Sequence, residues 1–199
     1  MILGLFAALF AGFIISACNS NPPVIAAKNV GGTLPTFTST STSTSTPCSG
    51  VFGNNTVGNA TTSSTDLFYY PVVPGSATTL TILSTYTASA GAVTFESGIY
   101  SNNAGSPGSL LAETGSQTVS AAATLWNTVP LNHSVNLSSG VTYWLAYQAN
   151  PATSVPDQNV GVVAYAYQPA GAFGSLSANF TGGTLSSGYI FSLYGTTCP

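Results

Sequence analysis

The carboxyl, amino, imidazole and thiol side chains in this chain of 199 residues can be named one by one. They are one histidine, His133, four acids, Asp66, Glu96, Glu113 and Asp157, one base, Lys28, and three cysteines, Cys18, Cys48 and Cys198. A Ser–His–acid triad would need His133 as its base. His133 sits in Asn132-His133-Ser134, which reads as a turn, and no G-x-S-x-G nucleophile elbow occurs. Glu96 and Glu113 are formally a glycosidase pair of carboxylates. Glu96 falls in an alternating segment, however, where a solvent-facing strand residue is the simpler account. Asp157, in the loop-like stretch 151–159, is a lone carboxylate and a poor calcium site. No C-x-x-C or His/Cys spacing supports metal or redox chemistry. The chain reads as a non-enzyme that uses no cofactor and no metal.

The elements that hold these residues follow from composition. Charged residues are 3% of the chain, against about 25% in an average soluble protein. With one Lys and no Arg, the phosphate contacts that give nucleic-acid binding its affinity are missing. Disorder by composition needs low hydrophobicity and high net charge, and this chain is 44% hydrophobic with a net charge of −3. A multi-span membrane protein needs several apolar runs of about 20 residues, and the sequence has one long run, at its N-terminus. Its polarity comes from Ser, Thr, Asn, Gln and Gly. That palette suits an extracellular β-protein kept soluble by hydroxyls, amides and glycans.

Residues 1–17, MILGLFAALFAGFIISA, have the length and composition of a signal-peptide core or a hydrophobic anchor. The tetrad Ile15-Ser16-Ala17-Cys18 resembles the lipobox of bacterial lipoproteins, although the basic residues that usually precede such a core are missing. The resemblance implies that the Cys18 thiol carries lipid and becomes the mature N-terminus. An ordinary secretory signal and an uncleaved, pilin-like helix are the alternatives. If Cys18 is lipidated, Cys48 and Cys198 remain as an even pair in an exported chain, and a disulfide between them would tie together the two ends of one domain. Residues 18–47 read as a tether, with Asn21-Pro22-Pro23, Gly31-Gly32 and strict Ser/Thr alternation from Ser39 to Thr46.

Residues 48–199 read as one domain of antiparallel strands. Leu80-Ile82-Ser84-Tyr86, Val93-Phe95-Ser97-Ile99 and Val141-Tyr143-Leu145-Tyr147 alternate with intervening residues at a period of two. Runs over 160–167 and 189–194 follow. Turn signals separate them at Pro74-Gly75, Ala90-Gly91, 102–108, 138–140, 169–171 and Gly182-Gly183. Eight to ten short strands at this spacing predict an all-β sandwich.

Three segments in order, IYSNNAGSPGSLLA (99–112), WNTVPL (126–131) and VNLSSGVTYWLA (135–146), resemble a jelly-roll-like β-sandwich domain of bacterial and archaeal surface proteins. The resemblance spans about residues 65–195. It implies a single jelly-roll-like sandwich on an extracellular or cell-surface protein, and it brings no catalytic signature with it.

Trp126 and Trp144, flanked by apolar residues, are expected in the core. Tyr69, Tyr70, Tyr165 and Tyr167, in aromatic-rich strands, are the expected surface platforms for stacking against a ligand. Five N-x-Ser/Thr sequons, at Asn54, Asn59, Asn132, Asn136 and Asn179, are candidate glycosylation sites in a glycosylating host. The reading is a membrane-anchored surface lipoprotein acting in adhesion or envelope structure. Its alternatives are a self-assembling filament or surface-layer subunit built by strand exchange, and a carbohydrate-binding module. The partners expected are the membrane, through the N-terminus, and cell-surface glycans or further copies of the chain, with nucleic acid excluded.

Overall fold

A computed structural model describes residues 47–199 except 63, 89–90, 120–123 and 151–154, and without the side chains of 60–62 and 155–163. The signal or anchor at 1–17, the lipidation site Cys18 and the tether up to 46 lie outside the described residues. Those described form twelve strands and no helix. In chain order these are β1 (Gly50–Gly53), β2 (Ala60–Thr62), β3 (Leu67–Val72), β4 (Thr78–Ala88), β5 (Val93–Asn103) and β6 (Ser106–Glu113). There follow β7 (Gln117–Val119), β8 (Thr124–Leu137), β9 (Tyr143–Asn150), β10 (Val155–Gln168), β11 (Thr184–Phe191) and β12 (Leu193–Cys198).

The strands make two antiparallel sheets, as expected of a β-sandwich. The smaller has the order β1-β12-β4-β8. The larger runs β11-β10-β3-β9-β5-β6, with β2 added on β10 and β7 on β5. The count exceeds the expected eight to ten because β2 and β7 have only three residues each, too few to show alternation. His133 and Asp157 lie in β8 and β10, not in the turn and loop expected from their polar neighbours.

Phe52, Phe68, Tyr70, Leu80, Leu83, Ile99, Leu145, Tyr147, Phe191 and Leu193 fill the space between the sheets. A second apolar cluster, Leu67, Tyr69, Tyr100, Trp144 and Ala166, lies on the far face of the larger sheet beneath Leu176 and Phe180 of the 169–183 connection. That strap explains why Tyr143 to Ala149 of β9 are buried without interruption. A strand covered on both faces has no side on which polar alternation can appear.

Two local features set register. A non-glycine positive φ at Ala104 (49°) followed by Gly105 (86°) closes the β5–β6 hairpin. Two successive left-handed residues match the twist of the strands they join. A bulge between Leu80 and Ile82 shifts the pairing of β4 with β8. It breaks the alternation expected for β4: Leu80 and Leu83 both point into the core, while Ile82, Ser84 and Tyr86 take the opposite face.

Cys48 and Cys198 are joined by a disulfide, with Cα atoms 4.2 Å apart. The bridge sits where β1 begins and β12 ends, and Gly50 pairs with Thr197 beside it.

Candidate functional site

Of the four tyrosines expected at the surface, the structure moves two into the interior. Tyr69 is 0% and Tyr70 1% exposed. The Tyr70 hydroxyl donates to the Leu193 carbonyl and accepts from the Asn54 amide at 3.0 Å. Tyr69 packs edge-on against Tyr100 and Phe180, at 5.0 and 5.4 Å between ring centroids. Burial pushes the ionisation of Tyr69, Tyr70 and Tyr100 far above the ordinary tyrosine range. Neither Tyr69 nor Tyr70 can stack against a ligand. The sequence reading missed this because β3 is covered on both faces. Tyr165 and Tyr167 on β10 are half-buried and lean into the inter-sheet core, Tyr167 against Phe68 and Tyr165 against Phe191.

The two tryptophans part ways. Trp144 is 2% exposed, as expected, and its indole Nε1 donates to Asn102 Oδ1 at 3.0 Å. Trp126 is half-buried on the outer face of the smaller sheet, not in the main core. Its β8 neighbours at two-residue spacing are Thr128 and Pro130, exposed residues of the outer face. That spacing was the available signal, and the apolar flanks Leu125 and Val129 masked it.

Around Trp126 lies an aromatic group assembled from three strands. Tyr86 of β4 pairs directly with Trp126 of β8, and their ring centroids are 5.3 Å apart at 72°. Tyr194 of β12 meets the other side of the indole at 4.9 Å and 71°. Trp126 and Tyr194 stand two strands apart, so to touch they must lean across β4. Beneath them Ser84 is 0% exposed although it belongs to the outer face, and its hydroxyl pairs with that of Thr128 at 2.9 Å. Each edge-to-face pair contributes about 0.5–1.5 kcal/mol beyond its area. The three rings are therefore held in place before any ligand arrives. Val51, paired with Thr196 of β12, is 54% exposed, and Pro130 of β8, paired with Ile82, is exposed too.

This face has no charge. Strands β1, β4, β8 and β12 contain no Asp, Glu, Lys or Arg, and His133 is their one ionisable side chain apart from tyrosines and the disulfide-bonded Cys198. Rings flanked by hydroxyls on an uncharged surface can hold a ligand by stacking and neutral hydrogen bonds, and cannot hold one by ion pairing.

The carboxylates do something else. Glu96 is 0% exposed, contrary to the solvent-facing position expected for it. Its oxygens accept from Gln148 Nε2 at 2.8 Å and from the Gly174 amide. Glu113 accepts from the Leu176 amide at 2.7 Å. Among the described residues no three His, Cys, Asp or Glu side chains are grouped to hold a metal.

The sequons differ in access. Asn59, Asn132, Asn136 and Asn179 are exposed. Asn54 is half-buried, and its Nδ2, the atom a glycan would occupy, donates to the carbonyls of Phe191 at 3.1 Å and Thr56 at 3.3 Å. A groove of about 360 Å³ lies between β1 and the 72–78 turn, lined by glycines, by Val51, Val72, Val73 and Pro74, and by hydroxyl residues such as Ser76 and Thr78. No protein-family model matches the chain, and no curated protein matches it.

Proposed function

We propose that this protein is a non-enzymatic, cell-surface-anchored binding module that takes up an uncharged glycan on the outer face of its smaller sheet. The observation that carries the reading is the Tyr86–Trp126–Tyr194 group, pre-packed and half-exposed on strands without a formal charge. Sugar rings present apolar C–H faces edged by hydroxyls, and aromatic rings among Ser and Thr hydroxyls complement both. The N-terminal apolar run with its lipobox-like Ile15 to Cys18, and the Ser/Thr tether, support the reading of a module held outside the cell at a distance from the membrane. The strand order supports the jelly-roll reading, because β1-β12-β4-β8 faces β3-β9-β5-β6 and successive strands cross repeatedly between the sheets. On that reading β10 and β11 are a hairpin added to one edge.

The test is an array of neutral and anionic glycans probed with the full-length protein. The reading expects retention of neutral glycans that is insensitive to salt from about 0.01 to 1 M, a range over which the Debye length falls from about 30 to 3 Å. Binding confined to anionic glycans and lost with salt would overturn it.

A second reading is self-assembly. Among the described residues strand β8, of 14 residues, pairs only with β4, so it presents a long sheet edge there, interrupted by Pro130, on which a second copy could add a strand. Filaments seen by negative-stain microscopy of the native surface would favour this reading. Their loss on deletion of residues 19–47 would assign the added strand to the tether.

A further inference from the structure

Two of the chain's four acids hold one segment of backbone. On the far face of the larger sheet Glu113 pairs across from Gly98, so Glu96, two residues before Gly98, shares its face. The two carboxylates accept from the amides of Gly174 and Leu176, two residues apart in the strap 169–183. Between them Leu176 lies on Gly98, where an added Cβ would come 2.6 Å from Leu176 Cδ1, so the absence of a side chain makes room for the strap. No Lys or Arg occurs among the described residues, because the chain's one such residue is Lys28. The two carboxyl groups are therefore met by hydrogen-bond donors and by no Lys or Arg.

The rest of the strap is held differently. Leu110 donates to Ala178 at 2.9 Å, Phe180 to Gly108 at 3.1 Å, and Tyr100 Oη to Ser177 at 2.7 Å. These bonds are neutral, and Gln168 Oε1 accepts from Thr181 at 2.9 Å in the same way. The strap thus has a part fastened to carboxyl groups, up to Leu176, and a part fastened without them, from Ser177 onward.

We propose that residues 169–176 form an acid-released flap, latched by Glu96 and Glu113 and hinged at Ser177–Phe180, which stays on β5 and β6. Hydrogen bonds to an ionised carboxylate are roughly twice as strong as neutral ones, so protonating the two acids weakens this half of the strap and leaves the other unchanged. Release uncovers the Glu96–Gln148 pair and the notch at Gly98. Among the described side chains the other titratable groups on this face are Tyr69 and Tyr100, and their burial keeps both hydroxyls neutral through the acid and neutral range. Asp66, just before β3, is bonded to Ser64 at 2.7 Å and takes no part in the strap. Acid thus acts on this face through Glu96 and Glu113.

Amide hydrogen exchange of the full-length protein tests the latch, with rates corrected for the intrinsic pH dependence. Between pH 7 and about pH 3, below the ordinary carboxylate range, the protection of Gly174 and Leu176 should fall at least tenfold. Leu110, Phe180 and the β4, β9 and β12 amides should keep theirs. Gln is the neutral isostere of the protonated acid. Glu113→Gln should therefore lower the protection of Leu176 at pH 7 to near its acid value, and Glu96→Gln should do the same for Gly174. Unchanged flap protection in acid would overturn the proposal, as would a parallel loss across the whole strap and the sheets. So would a full acid response at Leu176 in Glu113→Gln, a variant at a half-buried position that spares the buried Glu96.

Discussion

Tyr70 shows how a single hydroxyl joins the first strand to the last. It donates to Leu193 and accepts from Asn54, at the point where the chain leaves β1 and passes the start of β12. Tyr70→Phe keeps the buried ring and removes both bonds, and should cost about 1–2 kcal/mol in urea unfolding. The same burial fixes a pH response. Tyrosines ionise near pH 10 in an unfolded chain, and Tyr69, Tyr70 and Tyr100 are pushed well above that in the fold. A group whose folded ionisation is raised contributes stability that is fully present below its unfolded value and is lost above it. Stability should therefore hold up to about pH 10 and decline beyond it. In an absorbance titration these three phenols should ionise only together with loss of the β-sheet signal. Ionisation of all ten tyrosines within a folded protein would contradict the packing described.

At the scale of elements, the disulfide ties a four-residue edge strand to the last strand across a separation of 150 residues. Closing a loop of that size in the unfolded chain is worth on the order of 5 kcal/mol on the chain-entropy account. At about 2–4 °C per kcal/mol, Cys48→Ser should lower the melting temperature by about 10 °C or more and leave the circular dichroism spectrum unchanged. An unaltered melting temperature would show that β1 needs no tie. The bridge was legible in the sequence because Cys48 opens the alternating region and Cys198 follows its final strand. The β5–β6 turn was legible in Asn102 to Gly108 for a similarly local reason. The faces were less so. Alternation identifies a strand but fixes its orientation only where one side is wet, so Tyr69 and Trp144, beneath the strap, gave no polar contrast to read. The bulge after Leu80 broke the alternation expected for β4. Trp126 and Glu96 were misplaced for related reasons, since each owes its environment to residues distant in sequence: Tyr194 for the first, Gly174 for the second.

For the whole molecule, the sandwich presents two unlike outer faces. The larger sheet's is sealed by the strap and holds two of the acids. The smaller sheet's is open, has no formal charge and is centred on Trp126. The N-terminal run and the tether add an expectation of their own: the native protein should have the mass of a chain starting at a diacylglyceryl-modified Cys18. An unmodified start elsewhere, measured by intact mass spectrometry, would remove the lipid anchor and leave the binding face untouched. On the proposed function Trp126 is the contact point for a neutral glycan, and calorimetric titration of a glycan retained on the array checks this. Trp126→Ala should weaken binding at least tenfold, about 1.4 kcal/mol, while the disulfide and the β-sheet spectrum persist. Equal binding by the folded variant, or no binding by the intact protein, would contradict it.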